Sequence, residues 1–276
     1  TMTHYALLVG AGNTVFAATS FATVSSGSGT FTVPEGANAI HIQYAVGGGG
    51  GAAGGIDYDK AGGESAGAGG GSGAYISDKI LTVTEGETIT YAIGGGGAAG
   101  NQTSNFGQPR VASPGTNTTL SGSSTGALFS LVGGGGSSGI NGGVQGPLRT
   151  NIAGTAGTDT ISGTAITSGN FTDTNYSVQN VTSNTSGPVG TFNQSGDGAV
   201  GVLVGSGNCG GDNCSIAGFN GGASYAGNVA GGSGASPGGS SSVGTRGSGG
   251  GGGSAPTTNG SAGGAGELKY RFINVT

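Results

Sequence analysis

Glycine is the residue that most constrains what this chain can fold into, since it supplies 70 of the 276 positions. Glycine loses more backbone entropy on folding than any other residue, and costs about 0.5–1 kcal/mol relative to alanine inside a strand or helix. Only 33% of the residues are hydrophobic and tryptophan is absent, so a conventional core of large side chains would be small. An ordered fold must therefore be held mainly by backbone hydrogen bonds; otherwise this composition is typical of disorder.

Alternating strands that run directly into glycine tracts favour order. In a strand, period-two alternation places one set of side chains on one face. The pattern occurs four times, at 39–46 before the tract 47–51, 88–93 before 94–97, 128–132 before 133–136, and 200–204 before Gly205. Residues 80–83 and 87–93 flank a Glu85-Gly86 turn signal and predict a hairpin.

The first of these strands shows the clearest alternation. Unbroken alternation predicts that every second side chain of this strand shares one face. The two sets are Ile40, Ile42, Tyr44 and Val46 on one side, and Ala39, His41, Gln43 and Ala45 on the other.

The glycine tracts allow two interpretations, flexible linkers or a bundle of extended threefold helices that hydrogen-bond to one another. A single helix of this kind has no internal hydrogen bonds, and the absence of a Gly-X-Y period excludes collagen. Short, numerous tracts favour the bundle; they lie at 47–55, 62–73, 94–100, 133–139, 231–239 and 247–253. We therefore expect a mainly β fold, with antiparallel, sandwich-like strands alternating with glycine segments packed as a polyglycine II bundle.

The chain divides into an arm and a domain. Residues 1–26 form an N-terminal arm or strand, in which Tyr5, Leu7 and Val9 alternate, and residues 27–276 form the glycine-rich β domain. A region at about 150–200 is poorer in glycine and rich in Ser, Thr and Asn. We interpret this region as an insertion displayed from the scaffold.

Charge and motifs exclude several functions. The net charge is −5, and without a basic patch nucleic-acid binding is not expected. No apolar run approaches the roughly 20 residues of a membrane span. No recognised catalytic pattern, phosphate-binding loop or metal-ligand set occurs. We therefore expect a non-enzymatic protein without metal or cofactor.

Three segments resemble the glycine-rich domain of phage tail-fibre and related virion proteins. The opening Phe31-Thr-Val-Pro-Glu-Gly, the segment Leu81-Thr-Val-Thr-Glu-Gly-Glu and the closing Gly-Glu-Leu-Lys-Tyr-Arg-Phe-Ile carry the resemblance, which covers roughly 27–276. Some members of this class are tip adhesins whose glycine helices form a bundle and whose loops bind the host surface. The resemblance implies receptor binding, but no binding residue carries over.

Candidate sites are few. Four aromatic residues expected in loops are candidates for stacking on a carbohydrate: Tyr58, Phe171, Tyr176 and Tyr225. Cys209 and Cys214 either form a small local disulfide or remain free thiols. Ten Asn-X-Ser/Thr sequons exceed the roughly four expected by chance and are candidate glycan acceptors: Asn101, Asn117, Asn170, Asn175, Asn180, Asn184, Asn193, Asn213, Asn259 and Asn274.

These observations support two functional hypotheses. The first is a structural or receptor-binding protein of a phage tail fibre or virion surface, which contacts a host glycan or outer-membrane protein. The second is a subunit of a secreted, glycosylated, pilus-like extracellular filament assembled by strand donation, which the excess of sequons favours. Both place the protein outside the cell, in an oligomeric assembly with other structural subunits.

The N-terminal arm generates a prediction about assembly. Sheet edges accept strands from other chains, and residues 3–9 precede the family-like region. Deleting residues 1–12 should leave a folded monomer that no longer assembles, as measured by sedimentation and electron microscopy. A truncated chain that still joins its assembly would exclude the arm as connector and favour an ordinary first strand of the same domain.

Overall fold

The computed structural model describes most of the domain in sheets and extended segments. The described residues are 16–54, 64–101, 109–140, 150–173, 178–181, 194–196, 208–209, 219–224, 229–235, 240–253 and 259–276. Within these ranges, no helix has the length and apolar character needed to cross a membrane.

Short antiparallel strands make up the regular structure of the described residues. In chain order they are β1 (Ala22–Val24), β2 (Ser28–Thr32), β3 (Ala39–Val46), β4 (Glu64–Ser65), β5 (Tyr75–Thr82), β6 (Thr88–Ala92), β7 (Pro109–Val111), β8 (Thr118–Gly122), β9 (Gly126–Leu131), β10 (Ser138–Ile140), β11 (Thr150–Ile152), β12 (Asp159–Ile161), β13 (Asn170–Thr172), β14 (Val178–Asn180), β15 (Gln194–Gly196), β16 (Asn208–Cys209) and β17 (Glu267–Ile273).

Two five-stranded antiparallel sheets form a sandwich, as the sequence predicts. The first sheet has the order β1-β17-β3-β5-β15 and the second β12-β9-β8-β6-β2. Large side chains from both sheets meet in one core, which includes Ile40, Ile42 and Leu81 from the first sheet and Ile89 and Leu128 from the second. Alternation therefore identified the strands that build this small core.

Two tight turns carry the chain from one sheet to the other. β2 and β6 lie in the second sheet, whereas β3 and β5 lie in the first, so the predicted hairpin of 80–83 with 87–93 is wrong. Gly36 and Gly86, with φ of 83° and 75°, supply the left-handed conformations at these turns. The turn signals were correct, but Leu81 and Ile89 both enter the core from opposing sheets, which a hairpin within one sheet would not allow.

A β-bulge breaks the alternation of β3. Ile42 pairs with Tyr270, but Tyr44 pairs with Lys269, so Gln43 is an extra residue in β3. As a result Ala45, and not Tyr44, joins Ile40 and Ile42 in the core. The prediction that Tyr44 and Val46 share a face with Ile40 and Ile42 is therefore wrong, because the bulge moves them to the other face.

The first glycine tract, 47–53, hydrogen-bonds with a period of three. Three consecutive residues donate their N–H groups to three different neighbouring segments. The next three residues donate to the same three segments in the same order. The donor–acceptor pairs, with N···O distances of 2.8–3.2 Å, are Gly48–Thr116, Gly49–Gly264, Gly50–Gly71, Gly51–Ser113, Ala52–Ser261 and Ala53–Ala68. This rotation is the signature of a threefold extended helix.

The carbonyl groups of the same tract accept from three further segments that run parallel to it. These donor–acceptor pairs, at 2.7–3.0 Å, are Gly134–Gly48, Ser137–Gly51, Gly97–Gly49, Gly100–Ala52, Gly250–Gly50 and Gly253–Ala53. Among the described residues, tract 47–53 is thus surrounded by six neighbouring segments. The predicted polyglycine II bundle is confirmed for these tracts, and flexible linkers are excluded there.

The sandwich and the bundle are one continuous structure. Strands β3, β6 and β9 run toward the bundle and continue into tracts 47–53, 94–100 and 133–137. The chain returns to the sandwich through four tracts that lead into β5, β8, β12 and β17, namely 67–73, 112–117, 154–157 and 260–266. The sequence pattern indicated only the outgoing half of this arrangement.

The described part of the region at about 150–200 packs within the framework. Gly154 N–H donates to Gly69 O at 3.0 Å, and Gly157 N–H to Ser72 O at 2.9 Å, which adds a tract to the bundle. β12 pairs with β9 in the second sheet. Residues 150–161 are therefore part of the scaffold. Strand β1, which belongs to the predicted N-terminal arm, likewise pairs with β17 of the domain. The other domain boundaries stay predictions.

Close backbone approach predicts a sharp difference between two glycines of the bundle. A Cβ added at Gly50 would lie 2.0 Å from the Gly135 carbonyl oxygen, whereas one at Gly95 would meet nothing nearer than the Thr116 hydroxyl at 3.7 Å. Gly50→Ala should therefore lower the free energy of unfolding by about 3 kcal/mol or more, measured by chemical denaturation. Gly95→Ala is the matched control and should unfold like the native chain. Equal stability of the two variants would contradict tight packing.

Candidate functional site

One end of the bundle gathers the connections between outgoing and returning tracts; we call it the distal end. Connections leave and re-enter the described chain there between 54 and 64, 101 and 109, 140 and 150, 235 and 240, and 253 and 259. Hydrogen bonds align these tract ends, because Gly253 N–H donates to Ala53 O at 3.0 Å and Gly260 N–H to Gly100 O at 3.1 Å. The described ends of five connections are thus aligned at the distal end.

A three-stranded sheet beside this end presents an apolar row. Its order is β11-β10-β7, and Ser138 of β10 pairs with both Val111 and Ile152. Directly paired residues point to the same face of a sheet. Val111 is 63% exposed and Ile152 49%, so this face offers two uncovered hydrophobic side chains on either side of a serine.

Two sequon asparagines also lie at the distal end. Asn101 and Asn259 are exposed, and the bond between Gly260 N–H and Gly100 O places them on neighbouring tracts. Asn170 is exposed in β13, and Asn180 lies in β14. Asn175, Asn184, Asn193 and Asn213 lie outside the described residues.

The remaining two sequon asparagines make hydrogen bonds within the fold. Asn117 Oδ1 accepts from the Gly133 N–H at 3.2 Å. Asn274 Nδ2 donates to the Gly36 carbonyl oxygen at 2.6 Å. The nitrogen that a glycan would modify at Asn274 is therefore already engaged.

Of the other candidate residues, the structure describes Phe171 and Cys209. Phe171 lies in strand β13 and not in a loop, and at 3% exposure it is packed in a second apolar cluster with Ile80 and Ile273. Its ring is therefore not accessible to a carbohydrate. Cys209 belongs to β16, where it pairs with Glu64. Tyr58, Tyr176, Tyr225 and Cys214 lie outside the described residues.

A buried charged cluster on the outer face of the first sheet escaped the sequence analysis. His41 Nε2 lies 3.1 Å from Asp78 Oδ1, and Arg271 Nε donates to His41 Nδ1 at 3.2 Å. Arg271 Nη1 lies 3.3 Å from Asp173 Oδ2, and its guanidinium carbon lies 4.4 Å from the centre of the Phe21 ring. The cluster therefore joins β3, β5 and β17 to Phe21, which precedes β1, and to Asp173, which follows β13.

The partners of His41 define its protonation. Arginine can only donate, so Nδ1 must carry a lone pair, and the carboxylate of Asp78 accepts the proton of Nε2. His41 is thus the neutral Nε2–H tautomer. Burial also lowers its pKa, with the hydrogen bond to Asp78 opposing and the charge of Arg271 reinforcing that shift. Both ring nitrogens are occupied, so the imidazole is suited to linking β3 with β5 and β17 and not to acid–base chemistry.

Only tertiary structure brings this cluster together. His41 and Arg271 are 230 residues apart, and no local motif links them. Asp78 adopts a positive φ of 48°, a conformation that aspartate tolerates better than most residues. Within the described parts of the chain, no group of three or more His, Cys, Asp or Glu side chains is placed to hold a metal ion.

Comparison with protein families agrees with the architecture. A family model described as a glycine-rich domain matches residues 23–272, which include both sheets of the sandwich and the bundle. The chain belongs to this glycine-rich domain family. No curated protein sequence matches it. The family assignment of the glycine-rich domain confirms the broader part of the resemblance noted in the sequence.

The neutral state of His41 predicts a pH dependence of stability. An unfolded histidine titrates near pH 6.5, whereas the folded pKa is lowered. Below about pH 6.5 the unfolded chain therefore binds a proton that the folded chain does not, and the free energy of unfolding should fall by up to about 1.4 kcal/mol per pH unit.

His41→Gln is the matched control, since its amide can accept from Arg271 and donate to Asp78 without titrating. Chemical denaturation at pH 7.5, 6.5, 5.5 and 5.0 should give a steeper decline for the native chain than for the variant. Parallel declines would show that His41 is not the titrating group.

Proposed function

We propose that this glycine-rich domain is a non-enzymatic receptor-binding protein of a phage tail fibre or virion surface, and that it attaches the virion to a host cell through its distal end. Its partners are other subunits of the fibre and a host surface glycan or outer-membrane protein. The observation that carries the proposal is the alignment, at one end of a hydrogen-bonded bundle, of the tract ends that lead into five chain connections.

The architecture suits presentation of variable loops. Binding residues are commonly carried by loops positioned on a rigid scaffold. Here the scaffold consists of backbone hydrogen bonds between tracts, such as those of Gly50 with Gly71 and Gly250. Since these bonds are made by residues of the tracts themselves, the connections can change in sequence without disturbing the bundle.

The apolar row supplies a surface for contact. Val111 and Ile152 are among the most exposed large hydrophobic residues of the described chain. Exposed apolar side chains next to anchored connections are the kind of surface that binds a partner. The charged cluster supports binding over catalysis, because both nitrogens of His41 are engaged within the sheet layer.

A second candidate function is a subunit of a secreted, glycosylated filament. The exposure of Asn101 and Asn259 on neighbouring tracts favours it, since glycans there would cover the distal end. Mass spectrometry of the native protein separates the two. Hexose-bearing Asn101 and Asn259 support the filament, and unmodified asparagines support host attachment.

The apolar row provides the test of host attachment. The double variant Val111→Thr and Ile152→Thr removes both exposed side chains and keeps β-branched residues, so its melting temperature should be unchanged. Binding to arrays of bacterial surface saccharides and to outer-membrane vesicles should fall at least tenfold. Val243→Thr changes another exposed valine, which is 58% accessible, and should bind normally.

Two outcomes would overturn this proposal. One is a native chain that binds neither saccharide arrays nor vesicles. The other is a folded double variant that binds both as tightly as the native chain and Val243→Thr.

A further inference from the structure

Arg246 occupies a backbone conformation that normally favours glycine. Its φ is 43°, and among the described non-glycine residues only Asp78 shares this sign. Arg246 and Gly247 are the central residues of a turn closed by Ser248 N–H donating to Thr245 O at 2.9 Å. With positive φ at both positions, such a turn prefers Asn, Asp or Gly. In a chain with 70 glycines, an arginine here points to a use for its side chain.

The guanidinium of Arg246 is held in place but not covered. Its central carbon lies 5.5 Å from the centre of the Tyr44 ring, and Nε lies 3.4 Å from Glu267 Oε1. The Tyr44 hydroxyl donates to the same carboxylate oxygen. These contacts fix the orientation of the guanidinium. Because the side chain remains 56% exposed, its terminal N–H groups can still meet a ligand.

A second cation lies beside the same ring. Lys269 Nζ is 6.0 Å from the centre of the Tyr44 ring and 5.6 Å from that of Phe21. Among the described residues it has no carboxylate partner within ion-pair distance. Arg246 and Lys269 together outweigh the single charge of Glu267, so the site attracts an anion.

Arg246 borders a shallow pocket with an apolar floor, beside the Tyr44 ring that Lys269 also approaches. Tyr44, Val46, Val229 and Arg246 line a depression of about 20 Å³. This is far below the roughly 300–1,000 Å³ of sites that enclose drug-sized ligands, so a ligand here rests on the surface with one edge in the depression. The bulge at Gln43 creates the pocket, because it moves Tyr44 and Val46 from the core to this face.

We propose that this pocket, which we call the Tyr44 pocket, binds the carboxylate of an acidic sugar of the uronic acid type. The planar guanidinium of Arg246 matches a carboxylate through two parallel hydrogen bonds. Lys269 adds a second positive charge, and Tyr44, Val46 and Val229 contact the C–H surface of the ring. The neutral sugar lacks the group that Arg246 recognises.

The Tyr44 pocket is separate from the distal end. Val46 is the last residue of β3, and Gly247 bonds to Ala265 and Gly73 at the start of the bundle. The pocket therefore lies where the sandwich meets the bundle. Its failure to bind would leave host attachment through Val111 and Ile152 untouched.

Isothermal titration of the full chain with methyl glucuronide and methyl glucoside tests the inference. We expect the glucuronide to bind at least tenfold more tightly than the glucoside. Arg246→Gly should weaken glucuronide binding at least tenfold, while its melting temperature stays the same or rises, because glycine adopts the positive φ freely. Lys79→Gln removes one positive charge elsewhere in the first sheet and should bind normally.

Several results would overturn the inference. They are no glucuronide binding, equal binding of the two sugars, or unchanged affinity in Arg246→Gly. Inorganic phosphate is the final comparison. If phosphate binds as tightly as the glucuronide and displaces it, the pocket is a general anion site and the assignment to an acidic sugar is wrong.

Discussion

The close approach of backbones in the glycine bundle is the constraint on which the rest of this structure depends. A side chain at Gly50 would stand 2.0 Å from a neighbouring carbonyl oxygen, so at such positions only glycine permits the hydrogen bonds that link a tract to its neighbours. These bonds compensate for the backbone entropy that glycine loses on folding. The composition that suggests disorder is therefore the condition for this kind of order.

The sandwich and the bundle depend on each other. An isolated threefold helix has no internal hydrogen bonds and needs neighbours in register. The strands provide that register, because β3, β6 and β9 deliver their tracts side by side at one end of the sandwich. In return, the bundle ties together strands whose own core is small. The same arrangement aligns the described tract ends at the distal end, which is the physical basis for proposing that end as the binding surface.

Two groups of charged residues lie where the described chain departs from its regular pattern. Asp78 and Arg246, the non-glycine residues with positive φ in the described chain, hold the two charged groupings of the first sheet. One is buried and joins His41 to Arg271, and the other is open to solvent beside Tyr44. The bulge at Gln43 lies between the two groups in β3. It places His41 in the buried group and Tyr44 in the exposed group, because it changes which side chains face the core.

By itself the sequence determined the elements: alternation identified β3, β6, β9 and β17, glycine spacing indicated a polyglycine II bundle, and Gly36 and Gly86 marked real turns. It did not determine which sheet each strand joins, because a turn signal is the same whether the chain stays in one sheet or crosses to another. It also could not reveal the bulge at Gln43, the pairing of Val111 with Ile152 across Ser138, or the cluster of His41 with Arg271. Those features arise from contacts between distant segments, which only the packed tertiary structure decided.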